Sequence, residues 1–125
     1  MGQRFLVDTN ILLEYIGGIL PENTNKLIED IISNDFNISV INRIEVLGHP
    51  SATKDISDFL DLANQYELTQ EVVKQTITLR KVRKIKLPDA IIAATAIVHN
   101  LSLISRNTKD FMNIQGLELL DPYKV

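Results

Sequence analysis

No cysteine occurs in the 125 residues, which excludes a disulfide scaffold, a thiolate zinc site and a cysteine nucleophile together. Histidine is nearly as scarce: His49 and His99 are the only two, too few for a histidine-rich metal site. No apolar run approaches the roughly 20 residues needed to cross a bilayer. The opening Met1-Gly2-Gln3-Arg4-Phe5-Leu6-Val7-Asp8 has no long apolar stretch leading to a small-residue cleavage site, so no secretion signal is read there and a cytoplasmic location is expected. Linkers, repeats and low-complexity tracts are also lacking. What remains is ordinary for a globular chain, with 45% hydrophobic and 23% charged residues and a length that suits one domain over residues 1–125.

The net charge of −3 hides an asymmetry. Arg80-Lys81-Val82-Arg83-Lys84-Ile85-Lys86 carries five of the 13 basic residues and no acid, leaving 8 bases against 16 acids elsewhere. An acidic chain with one compact basic patch can hold a polyanion locally, although a lysine-rich helix end can also simply stay solvated. Within the run, helical spacing predicts Arg80, Arg83 and Lys84 on one face, where they can grip a nucleic-acid backbone.

Hydrophobic patterning predicts strands alternating with helices. Arg4 to Asp8, Asn37 to Val40, Leu101 to Ser105 and Leu117 to Leu119 read as strands, with Tyr66 to Leu68 as a further short one. Helices are predicted after Thr9 or Asn10 as cap and stopped at Gly17-Gly18, then over Asn23–Ser33, Ile41–Leu47, Lys54–Gln65, Gln70–Lys84 and Asp89–Asn100. This alternation implies an α/β domain with a central, largely parallel sheet of four to five strands flanked by helices.

In such a sheet the active crevice lies at the carboxyl ends of the strands. Asp8 ends the first strand, where it can also cap the next helix. Glu45 falls in the helix after the second strand, sharing an arc of about 100° with Ile41, Ile44 and Gly48, either at the edge of an apolar face or turned inward. Asp89 opens a helix that is apolar on nearly every side, so its carboxylate is expected near a buried helix end, in need of a cation or donors. Asp110 follows the strand ending at Ser105 and stands one helical turn from Asn107. Crowded carboxylates repel one another, and a hard divalent cation with oxygen ligands relieves the repulsion. Mg²⁺ or Mn²⁺ held there would activate water for phosphodiester hydrolysis.

At these residues the chain resembles the PIN-domain family, the fold of VapC-type toxin ribonucleases. Phe5-Leu6-Val7-Asp8-Thr9-Asn10 is similar to the first acidic motif and Ile41-Asn42-Arg43-Ile44-Glu45-Val46-Leu47-Gly48 to the second. Leu87-Pro88-Asp89-Ala90-Ile91-Ile92-Ala93-Ala94-Thr95-Ala96 resembles the third and is the most specific, and Leu103 to Phe111 resembles the closing motif. The resemblance implies a metal-dependent endoribonuclease with Asp8, Glu45 and Asp89 as core acids. It implies Asp110 or Asn107 as the fourth polar position and the Thr9 hydroxyl near the metal. Asn107 departs from members with an acid there, and an amide brings no charge to a second metal. The resemblance also implies an RNA substrate, an antitoxin protein that occludes the site, and a toxin that often dimerises.

Other readings fit less well. A PIN-like module without catalysis, binding RNA or a protein partner, would leave the retained acids without a role. A phosphoacceptor domain built on Asp8 would want further acids just before it. A haloacid-dehalogenase-type phosphatase would want an aspartate where Asn10 stands, and no Gly-x-Ser-x-Gly elbow supports a nucleophilic serine.

Overall fold

A computed structural model describes residues 2–125. The elements run β1 (Phe5–Val7), α1 (Thr9–Ile16), α2 (Glu22–Asn34), β2 (Asn37–Ser39), α3 (Val40–Leu47), α4 (Lys54–Leu60), β3 (Asn64–Tyr66), α5 (Gln70–Val82), α6 (Leu87–Val98), β4 (Ser102–Ile104), α7 (Thr108–Phe111) and β5 (Leu119–Leu120), closed by a 3₁₀ turn at Pro122–Lys124. The parallel strands β1, β4 and β5 lie in the order β1-β4-β5, with Leu6 opposite Leu103 and Val7 opposite Ile104. Strands β2 and β3 form a separate parallel pair.

The single central sheet of four to five strands is therefore corrected to three ladder-bonded strands plus a pair. The two parts meet at β1 and β2 through a side chain. Asn37 is fully buried, and its Nδ2 donates to the Phe5 carbonyl at 2.9 Å, where a backbone amide would bond in a continuous sheet. Its Oδ1 accepts from Arg4 at 3.3 Å and from Asn64 at 3.1 Å, so the amide is satisfied on both ends.

Side chains alternate across each strand, and this divides the core. Leu6 and Leu103 face one way, onto Leu79 of α5, Ala90, Ile92, Ala93 and Ala96 of α6, and Phe111 of α7. Val7 and Ile104 face the other, onto Ile11 and Leu12 of α1, Ile28 of α2, Val46 of α3 and Leu60 of α4. Each fully buried Val, Leu, Ile or Phe among these contributes about 1.5–3 kcal/mol of transfer free energy, and the alanines less. Helix α6 is buried continuously from Ala90 to Ala96, as its nearly unbroken apolar sequence requires. Among the described residues no helix is long and apolar enough to cross a membrane.

Local chemistry sets several boundaries away from where periodicity puts them. Asp8 itself caps α1, accepting from the Thr9 amide at 2.9 Å, so neither Thr9 nor Asn10 is the cap. After α1 the chain turns at Gly18, whose φ of 68° suits a residue without a Cβ. Helix α4 ends at Leu60, and the chain is already extended at Asn64, short of the helix predicted to Gln65. Helix α5 ends at Val82, because Arg83 is extended at φ −155° and ψ 154°.

Candidate functional site

The first acid is placed by strand pairing. The amide of Asp8 donates to the Ile104 carbonyl at 3.0 Å, extending the β1–β4 ladder by one residue and setting Asp8 beside Ser105. The Ser105 hydroxyl then donates to Asp8 Oδ2 at 2.7 Å, while the Thr9 amide serves Oδ1. Ser105 Oγ in turn accepts from the Asn107 amide at 2.9 Å, tying the first acid to the loop that leads into α7. Asp8 is only 5% exposed, and its pKa is pushed up to about 6. Burial is the main cause, the two hydrogen bonds pull it back, and the negative charges of Asp89 and Glu45 push it further up.

Glu45 is placed by a reciprocal cap at the start of α3. Ser39 Oγ accepts from the Ile41 amide at 3.0 Å, and the Ser39 amide donates to Asn42 Oδ1 at 2.7 Å. That bond fixes the orientation of the fully buried Asn42 amide, so Nδ2 donates to Thr9 Oγ1 at 3.0 Å. The Thr9 hydroxyl in turn donates a hydrogen bond to Glu45 Oε1 at 2.6 Å. The buried side of α3 is therefore Asn42 and Val46, whereas Ile44 is 61% exposed and Glu45 stands at the exposed edge. The arc shared by Ile41, Ile44, Glu45 and Gly48 is not the core-facing one.

Asp89 is half-buried in the first turn of α6, after Pro88 and under the N-terminal end of the helix dipole. Its pKa is raised, chiefly by burial, then by the charges of Asp110 and Glu45, with Lys86 partly offsetting them. Asp110 stands in α7, and its Oδ2 accepts from Asn107 Nδ2 at 3.0 Å. Asn107 precedes α7 but makes no side-chain cap there, so its amide group serves Asp110 instead.

Four carboxylates from α1's cap, α3, α6 and α7 thus form one electrostatically coupled group beyond the ends of β1, β2 and β4. Among the described residues no three acidic or histidine side chains are close enough to enclose an ion by themselves. The set is all oxygen, which suits a hard cation that keeps several waters and takes one or two carboxylates. Two members of the arrangement, Asn42 and Ser105, escaped the sequence reading. The Ser39-x-x-Asn42 capping spacing and the alignment of the two strand ends were the signals for them.

The basic run connects α5 to α6, and Arg80, Lys81, Arg83, Lys84 and Leu87 line an open groove there. The common helix face expected for Arg80, Arg83 and Lys84 is not formed, since α5 stops before Arg83. Arg80 and Lys84 are exposed; Arg83 donates to the Met112 carbonyl at 2.8 Å and the Asp110 carbonyl at 3.0 Å.

Comparison with known proteins agrees with this architecture. The PIN domain family matches residues 5–117. Ribonuclease VapC1 of Rickettsia felis is 47% identical over 53 residues, which is 42% of this chain and 35% of that protein, so the match spans about a third of the relative's length. A toxin–antitoxin complex from Klebsiella pneumoniae contains a chain that is 34% identical, with a TM-score of 0.80 over 97% of this chain and 99% of that one. VapBC2 from Rickettsia felis bound to a DNA fragment from its promoter shares the fold at 23% identity and a TM-score of 0.77, covering 94% of this chain and 98% of that one. The chain belongs to the PIN-domain family, and VapC-type proteins stand among its relatives.

Proposed function

We propose that the protein is a Mg²⁺- or Mn²⁺-dependent endoribonuclease and the toxin of a toxin–antitoxin pair. The observation that carries the reading is the grouping of Asp8, Glu45, Asp89 and Asp110 on one edge, where Asp8 feels the charges of Asp89 and Glu45, and Asp89 those of Asp110 and Glu45. Asp8 and Asp89 are the residues to hold the cation, because both are partly withdrawn from water and both feel neighbouring negative charge. Glu45 and Asp110 complete the set. When bound, the ion lowers the pKa of a water and stabilises the leaving oxygen of the phosphodiester.

The chain's own residues prepare the site. Ser105 and the Thr9 amide hold the Asp8 carboxylate by both oxygens, which limits its rotation. Glu45 is held by one oxygen, through the Thr9 hydroxyl, which Asn42 orients in turn. Asn107 orients Asp110 without adding charge. Arg80 and Lys84, exposed in the groove at the α5–α6 junction, supply the positive surface for an RNA backbone. The relation to a protein from a toxin–antitoxin complex supports an antitoxin as partner. Self-association into a homodimer is part of the same reading.

The test is incubation of the purified protein with a pool of cellular RNAs in Mg²⁺, in Mn²⁺ and in EDTA, followed by mapping of the new ends. Discrete new ends that depend on the cation support the reading. Intact RNA in both metals overturns it. An Asp89→Asn preparation processed in parallel identifies any contaminating nuclease.

A further inference from the structure

Both arginines of the basic run donate to backbone carbonyls, but Arg80 bonds locally, from Nε to the Ile85 carbonyl at 3.3 Å, whereas Arg83 reaches a separate element. Arg83 leaves the helical path at the end of α5, and its guanidinium reaches α7, where Nη1 donates to the Met112 carbonyl at 2.8 Å and Nη2 to the Asp110 carbonyl at 3.0 Å. Helix α7 has four residues and no side-chain cap at its start. So short a helix does not sustain itself, and its final carbonyls lack helical partners. Its internal bonds are few: Met112 N donates to the Thr108 carbonyl at 2.8 Å and Phe111 N to the Asn107 carbonyl at 3.3 Å. Phe111, 1% exposed, anchors it in the core, and the Asn107 amide ties its start to Ser105 Oγ, but its C-terminal carbonyls at Asp110 and Met112 are held by Arg83. A planar cationic fork across two carbonyls supplies charge-assisted bonds where the turn would otherwise open.

We propose that Arg83 is a positioning residue for Asp110, latching α7 so that the fourth carboxylate faces Asp89, rather than a ligand of RNA phosphates. This rests on the reading of the four acids as a nuclease site. Arg83 then links the end of α5 to the acidic edge, while the exposed Arg80 and Lys84 remain available to the substrate. The two roles separate kinetically. A latch acts on the reacting geometry and so on kcat, whereas a phosphate contact acts on binding and so on KM and its salt dependence.

The experiment compares the full chain with Arg83→Gln and Arg83→Lys, measuring amide hydrogen exchange at Phe111 and Met112 by NMR, and kcat and KM for RNA cleavage at several salt concentrations. A latch predicts exchange at these amides faster by roughly tenfold or more in Arg83→Gln, since local opening becomes easier. The same variant should lose kcat by about tenfold or more, the effect of a small misplacement, with KM held within about twofold. Arg83→Lys keeps the charge but not the planar fork, so its exchange and kcat should both lie between the other two. Two outcomes overturn the proposal: exchange in Arg83→Gln as slow as in the wild type, or a loss confined to KM that Arg83→Lys restores together with the salt slope. An inactive wild-type protein would instead overturn the nuclease reading and with it the role of Asp110. The exchange data would still report whether Arg83 holds α7.

Discussion

The Thr9 hydroxyl donates to Glu45 Oε1 at 2.6 Å because Asn42, donating to the same hydroxyl at 3.0 Å, occupies it as an acceptor. The direction of the whole chain is set one step earlier, where the Ser39 amide takes Asn42 Oδ1. Two polar side chains and one backbone amide thus hold one carboxylate at the exposed edge of α3. Inverting the polarity at Asn42 tests this. Asn42→Asp is nearly isosteric, but the ionised carboxylate can only accept, so it draws the Thr9 proton away from Glu45. Denaturation at pH 7 should show a loss of about 1–3 kcal/mol, the cost of a buried group left badly paired. The loss should shrink towards pH 4, where the introduced carboxyl binds a proton and regains a donor. An equal loss at both pH values would mean that Asn42 acts only through its shape.

The raised pKa of Asp8 makes a second prediction about stability. An acid whose pKa lies near 6 in the folded chain and 3.8 when unfolded binds more protons folded than unfolded across that window. Stability therefore falls as pH rises from about 4 to about 6, by roughly 2–3 kcal/mol from this group, and is flat above. Asp89 is shifted in the same direction. Asp35, held below its usual range mainly by its hydrogen bond from Arg4, has the opposite sign and favours folding above its unfolded pKa. Comparing the wild type with Asp8→Asn, free of metal, isolates the Asp8 contribution. Parallel stability–pH curves for the two proteins would remove it.

Divalent cations should reverse that penalty. If Asp8 and Asp89 hold Mg²⁺ or Mn²⁺, the folded chain gains about 2.7 kcal/mol at a metal concentration one hundred times Kd. Melting curves should shift upward in millimolar Mn²⁺ relative to EDTA. Asp89→Asn should lose most of the shift while costing little stability without metal, since it relieves repulsion. A wild-type melt indifferent to both cations would exclude the site.

Substrate grip is expected from Arg80 and Lys84. Neutralising both to glutamine should weaken binding of all RNA sequences about equally and flatten the log–log salt dependence by roughly 0.7 per lost contact. Cleavage at saturating RNA should survive, because the carboxylates are untouched. An unchanged salt slope would leave the two residues as a solvated surface.

Much of this site was legible in the sequence because acids are costly where Asp8 and Asp89 stand, at a strand end and at the start of a buried helix. The stretch from Ala90 to Ala96, apolar except for Thr95, gave α6 away in the same manner. What was hidden depended on pairing rather than on periodicity. Hydrophobic alternation reports burial, and it does not distinguish a backbone ladder from the Asn37 amide that joins β2 to β1. The helix face expected for Arg83 failed for a similar reason: helical spacing assumes that the helix continues, and the chain turns extended at that residue. Asn42 and Ser105 carry no charge and stay silent in any search for acids, although their hydrogen bonds hold the acids still.

The decisive measurement is RNA cleavage followed across a Mn²⁺ titration for the wild type and Asp89→Asn. A metal held by Asp8 and Asp89 gives a rate that rises with Mn²⁺ to saturation, falls to background in EDTA, returns on adding the metal back, and is absent in Asp89→Asn at the concentrations that saturate the wild type. Cleavage that persists in EDTA, or that Asp89→Asn retains at the wild-type rate, rules out a metal-dependent nuclease at these acids.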